Sequence, residues 1–330
     1  MAVYVVGDFL RETRLRRGYT QEEVSYGICT PASLSRIENG AQKPGRLILE
    51  KLFERLGTEN NLFNSFVSRE EMELYSAIQE LVRNITDDDV AKIEKQIEVV
   101  EKLAVNTTEL EHQCLYFAKG ELARQKEKDD KKAMEMYMKA IHITLPDFDG
   151  KNPLRNNLLT FDEIMIINSI AILYANREND IMNAIELDMW LKVHMENKIM
   201  DGKMKTAKYP MILYNLSNWF GNKEFHVEAL KMAELGVDFC IQYGNLAFFP
   251  ILVVNKGVAL AEIGKIEDAR KCLHQAIAIF EAMKQVDHVQ PVIDWCKIHY
   301  KWIFNNHLLY HQRYIGQQHK SYPQLLYFQQ

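Results

Sequence analysis

The chain has 330 residues, of which 47% are hydrophobic and 26% charged, with a formal net charge of −5. That length suits two domains with a sizeable core, and the acidic balance argues against a protein that coats nucleic acid. Residues 1–60 hold nine Lys+Arg against eight Asp+Glu and the remainder 31 against 37, so any DNA affinity must come from a local cluster.

Apolar residues recur at i, i+3, i+4 and i+7 almost throughout, and β-branched alternating runs are nearly absent, which predicts an all-α chain. The spacing predicts a first helix over 6–17 with Phe9, Leu10 and Leu15 inward and Arg11, Arg14, Arg16 and Arg17 as a basic side. Thr20 caps a second helix, and Glu23 three residues on completes a capping box. Gly27 and Ile28 form a turn. Thr30 caps a third helix, Pro31 fills its first position where a missing N–H costs nothing, and Asn39-Gly40 ends it. A fourth helix, 46–56, packs through Leu47, Leu49, Leu52, Phe53 and Leu56.

Two short helices joined by a tight turn let the second lie in the major groove while the first braces on the backbone. Thr20-Gln21-x-Glu23, Leu34-Ser35-Arg36-Ile37-Glu38-Asn39-Gly40 and Pro44 resemble the phage-repressor (XRE/Cro-like) helix-turn-helix, a five-helix lambda-repressor-like domain. The resemblance implies that Gln21 touches phosphate or base and that Pro31, Ala32, Ser33, Ser35 and Arg36 face the groove. Arg36 is the candidate for a bidentate contact to guanine. Arg17, Thr30 and Lys43 complete the candidate DNA-contacting set. Leu34 and Ile37 are assigned to the core and Glu38 to an intramolecular contact.

From residue 67 the pattern becomes helical hairpins. Asn255 to Ala276 places small residues at Gly257, Ala269 and Ala276, where two helices must approach closely, and resembles a tetratricopeptide repeat (TPR) of about 34 residues. The second-helix alanines Ala133, Ala184, Ala229 and Ala269 step by 51, 45 and 40 residues, so helices or loops are longer here, notably around 146–153. A first hairpin is expected over 68–104 with its turn at 86–89, and Lys126–Lys132 as a solvated turn. Trp295 and Trp302 are assigned to the core of capping helices. Such hairpins stack into a right-handed α-superhelix with a concave groove. Asn168, Asn215 and Asn255 occupy equivalent positions on the first helices, and Asn218 follows Asn215 by one turn. An amide both donates and accepts, so this row could grip an extended peptide, with Tyr214, Trp219, Phe248 and Phe249 either lining side-chain pockets or packing in the core. Hydrogen bonding between scaffold helices is the alternative for the same asparagines. The expected partition is 1–66 DNA-binding, 67–305 repeats for peptide binding and dimerisation, and 306–330 a capping tail.

Chemical motifs are scarce. There is no Gly-rich phosphate loop, His-Glu-x-x-His or Gly-x-Ser-x-Gly, His307 and His311 lack a third ligand, and no catalytic residue, metal or cofactor is expected. Five scattered cysteines fit a reducing cytosol, Asp8 and Arg11 stand where a signal peptide would be apolar, and the longest apolar run is about seven residues, too short for a bilayer. A cytoplasmic protein without membrane contact is expected.

A Cro-like module followed by TPR-like hairpins resembles the Rgg/PlcR-type (RRNPP) regulators of Gram-positive bacteria. The resemblance implies a homodimer that binds paired half-sites on double-stranded DNA and whose repeats bind a short linear signalling peptide. The alternatives are a TPR scaffold for another protein and a helix-turn-helix regulator that answers a non-peptide ligand.

Overall fold

The computed structural model describes residues 6–58, 69–86, 89–104, 109–152, 158–176, 180–198, 200 and 202–302. Among them are fifteen α-helices and no strand. His307, His311 and the expected tail 306–330 lie outside the described residues. Two compact units divide the chain, Met1–Lys205 and Thr206–Gln330, so the expected boundary near residue 66 falls inside the first.

Four helices make the N-terminal module: α1 (Val6–Arg16), α2 (Gln21–Ser25), α3 (Pro31–Glu38) and α4 (Arg46–Arg55). Leu10, Val24, Leu34, Ile37, Leu52, Phe53 and Leu56 form its buried centre, and Phe9 meets Phe53 edge to face at 5.8 Å. Leu15 is 58% exposed, a correction to its expected inward position. It follows Leu10 by five residues, which rotates it well away from the buried stripe. Arg14 is also corrected, from the basic side to the interior. A fifth helix, α5 (Arg69–Thr86), touches α4 where the Arg46 guanidinium lies 3.8 Å from the Tyr75 ring centre.

The rest of the first unit is three hairpins. α5 pairs with α6 (Val90–Leu103), α7 (Glu109–Leu122) with α8 (Asp130–His142), and α9 (Phe161–Ala175) with α10 (Ile181–Asn197). Their starts are chemically marked. Asp89 and Asp129 accept from the amides of Lys92 and Lys132. Thr160 and Glu163 exchange side-chain and backbone bonds as a capping box at the head of α9. Residues 87 and 88 of the first expected turn lie outside the described residues.

The second unit begins within α11 (Gly202–Asn222) and holds α12 (His226–Tyr243), α13 (Phe249–Glu262), α14 (Ile266–Ala282) and α15 (Val289–Tyr300). Tyr209 of α11 packs on Phe239 of α12 at 4.9 Å. A Cβ added at Gly257 would stand 2.7 Å from Leu273 Cγ, which is why α13 and α14 need glycine there. Pro210 sits inside α11 and has no N–H for the Thr206 carbonyl one turn back. The Asn245 side chain, from the loop after α12, donates to that carbonyl instead at 2.6 Å. α15 ends at Tyr300, and Trp302, just beyond it, is buried with its ring 4.7 Å from that of Tyr300.

Candidate nucleic-acid interface

The helix-turn-helix is built from α2, the turn after it and α3. Thr20 Oγ1 accepts from the Glu23 amide at 3.1 Å and the Glu23 carboxylate accepts from the Thr20 amide at 2.7 Å. Tyr26 closes α2, and Gly27 takes a positive φ of 67°, a conformation that L side chains adopt at a cost. Thr30 then caps α3 through the Ser33 amide at 3.1 Å, with Pro31 next.

α3 shows two faces. Leu34 and Ile37 are buried, whereas Pro31, Ala32 and Arg36 are exposed and Ser33 and Ser35 half-buried. Arg36 is braced along the surface. Its Nε donates to Gln42 at 3.1 Å and its Nη2 to Ser33 at 3.2 Å. These bonds hold an exposed guanidinium in place before any ligand arrives, which lowers the ordering cost of a contact. Lys43 is exposed on the following loop.

Glu38 is 1% exposed and binds the helices together. Its two oxygens accept from Arg14 Nε at 2.6 Å and Nη2 at 2.9 Å, and Gln21 adds a bond at 2.7 Å. Arg14 Nη1 reaches the Tyr19 carbonyl at 2.9 Å, and the bond to Glu38 is what holds its pKa above the usual value. Gln21, expected at the DNA, has its amide nitrogen on Glu38. Arg17, also expected there, lies against the Gly57 carbonyl at 3.4 Å, and burial lowers its pKa.

Sequence reasoning missed how this module meets the hairpins. Arg55 of α4 pairs with Glu163 of α9 at 2.7 Å, both side chains fully buried. Lys51 pairs with Asp162 at 2.7 Å and with Glu54 at 3.3 Å. Burial pulls the Lys51 pKa down, but Asp162, Glu54 and Glu50 outweigh it and raise the value. Burial raises Glu54 to about 7 against the opposing charge of Lys51, with Asp162 and Glu50 adding to the rise. The legible signals were Lys51 and Arg55 four apart on one helix and the capping box Thr160-x-x-Glu163.

Two of the four candidate asparagines are buried. Asn168, in the first unit, is 2% exposed and Asn215, in the second, is 8% exposed. Asn255 donates to Ser217 at 2.6 Å, and Ser217 to the Tyr214 carbonyl at 2.9 Å. Asn218, Asn255 and Tyr214 are partly exposed, and burial pushes the Tyr214 hydroxyl up to about 12. Among the described residues no group of three or more His, Cys, Asp or Glu could hold a metal, and no helix is long and apolar enough to cross a membrane.

A helix-turn-helix domain model matches residues 5–66. Over 63 residues the chain is 36% identical to the helix-turn-helix-type transcriptional regulator YqaF of Bacillus subtilis (strain 168), which spans 19% of this chain and 83% of that protein. The chain belongs to the helix-turn-helix transcriptional regulators. The likeness in fold extends beyond that module. PlcR of Bacillus thuringiensis, in complex with the peptide PapR7 and DNA, superposes with a TM-score of 0.57 at 17% identity, covering 88% of this chain and 99% of PlcR. Apo ComR of Streptococcus vestibularis gives 0.50 at 14%, covering 89% and 97%. The regulator therefore joins a DNA-reading module to an array of helical hairpins.

Proposed function

We propose that this regulator is a homodimer that reads paired DNA half-sites through α3 and whose hairpin domain binds a short peptide that changes DNA affinity. The observation that carries the reading is the open face of α3, with Pro31, Ala32 and a braced Arg36 outward over a core sealed by Leu34 and Ile37. One helix this short offers few base contacts, and two-fold pairing doubles them across half-sites about one helical turn apart or multiples of it. Peptide binding is supported by the shared fold with PlcR, which is described in complex with both peptide and DNA. It is also supported by Tyr214, Asn218 and Asn255, partly exposed on α11 and α13. With its amide nitrogen on Ser217, Asn255 offers its oxygen to a peptide N–H. Ser33, Ser35, Thr30 and Lys43 flank the reading face, and Gln21 and Arg17, both half-exposed, border it while bonded to Glu38 and the Gly57 carbonyl.

The test passes a pool of short synthetic peptides over the immobilised protein and measures DNA binding with and without the retained peptides. A coupling of about 1–3 kcal/mol changes DNA affinity roughly 5–150-fold. Asn218→Ala and Asn255→Ala then weaken peptide retention while peptide-free DNA binding stays intact. DNA binding that no retained peptide alters favours a regulator answering another ligand, and absence of sequence-specific DNA retention favours a scaffold.

A further inference from the structure

Within the first compact unit the reading module is fastened to the hairpins at the turn that sets its geometry. Arg55 Nη2 binds Glu163 Oε1 at 2.7 Å, and its Nη1 donates to the carbonyl of Tyr26, the residue that closes α2. One buried guanidinium thus touches the turn between the two reading helices and the first turn of α9. Two neighbouring contacts repeat the theme. The Tyr26 hydroxyl donates to Asp147 in the loop between α8 and α9. Gly27 lies so close to the Thr144 carbonyl that any Cβ would collide with it. Glu163 cannot swing away, because its other oxygen accepts from the Thr160 amide at 2.5 Å. All these contacts use α4 and the turn, while Pro31, Ala32 and Arg36 on α3 stay exposed.

We infer that Glu163, acting through Arg55, is a positioning residue for DNA reading, so that the hairpin domain sets the angle at which α3 is presented. The lever is short. The eight residues of α3 span about 12 Å, so a tilt of about 10° moves the far end by about 2 Å, beyond hydrogen-bond tolerance. The inference rests on the DNA-reading role, but one arm of its test needs no DNA.

The experiment uses the full chain, a duplex selected from a random pool by the wild-type protein, and a scrambled duplex of the same composition. Glu163→Gln can keep the Thr160 cap through its oxygen while turning an N–H toward Arg55. The ratio of selected to scrambled affinity is expected to fall about tenfold or more, with scrambled-duplex affinity within about twofold of wild type. An unchanged ratio in the folded variant, or equal loss on both duplexes, overturns the inference. If Glu163→Gln does not fold, the double variant Arg55→Met/Glu163→Gln, which leaves no unpaired buried charge, is read in the same way. Hydrogen exchange on the wild-type protein decides independently. The amides of Leu34 and Ile37 are expected to open together with those of Ile166 and Ile167 in α9. Exchange of α3 ahead of α9 by about a hundredfold or more would mean that the module moves apart from the hairpins, and the inference fails.

Discussion

Glu38→Ala removes the acceptor on which three helices converge. In the wild type its carboxylate takes two bonds from Arg14 and one from Gln21, with side-chain exposures of 9% for Arg14 and 1% for Glu38. Truncation leaves a guanidinium in the interior with its bond to the Tyr19 carbonyl. Breaking a buried pair from one side costs about 3–5 kcal/mol, because the surviving charge is uncompensated. The bond to Tyr19 places the expected loss near the low end, about 3 kcal/mol. For a cooperative unit of roughly 200 residues each kcal/mol moves Tm by about 2–4 °C, so the shift is roughly 6–12 °C. Circular dichroism melts of the full chain measure it, with Glu22→Ala, an exposed site on α2, as the control expected within about 0.5 kcal/mol of wild type. Glu38→Gln keeps the shape and loses the charge, and should fall between. A Glu38→Ala melt within about 1 kcal/mol of wild type would refute the view that this cluster holds the reading helices together.

Three further outcomes are expected. Arg36→Ala costs about 1–3 kcal/mol on a selected duplex and relaxes base preference at one position per half-site; equal loss on random DNA, measured by fluorescence anisotropy, rules out base readout by Arg36. Glu54 titrates near 7 when folded, above its unfolded value, so its contribution is fully present below about pH 4.5 and is lost as pH rises toward 7. Glu54→Gln should therefore flatten the fall in stability between pH 5 and 7, a loss of about 2 kcal/mol in the wild type; urea titrations that keep the wild-type slope would contradict this. Asn245→Ala frees the Thr206 carbonyl and costs about 1 kcal/mol. Placed on a Pro210→Ala background, which restores the helical N–H, the same change should cost less, and an identical cost in a double-mutant cycle would show that Asn245 does not serve that carbonyl.

Much of the module could be read from residues close in sequence. Thr20 with Glu23, Thr30 with Pro31, and Leu34 with Ile37 each announce a cap or a buried face within one or two turns, and the structure places them accordingly. The hairpins were legible for the same reason, since Gly257 and Ala269 mark close approach within one repeat. What was hidden depends on long sequence separation. Arg14 meets Glu38 across 24 residues and Arg55 meets Glu163 across 108. No local periodicity distinguishes Arg14 from a solvated arginine, and the four-residue spacing of Lys51 and Arg55 marks a shared face without naming its partner. Composition likewise could not tell that Asn255 turns toward Ser217, 38 residues away, because the amide suits a helix partner as well as a peptide.

The central claim is that α3 reads DNA as one half of a symmetric pair. Selection from a random duplex pool with the full-length protein, followed by sequencing of the retained fraction, tests it most directly. The account predicts an inverted repeat whose half-sites are centred about 10 base pairs apart or a multiple of that, with an enriched guanine in each half-site that disappears when Arg36→Ala protein is used. Retention of unenriched sequence, or an enriched site without two-fold symmetry, would contradict it.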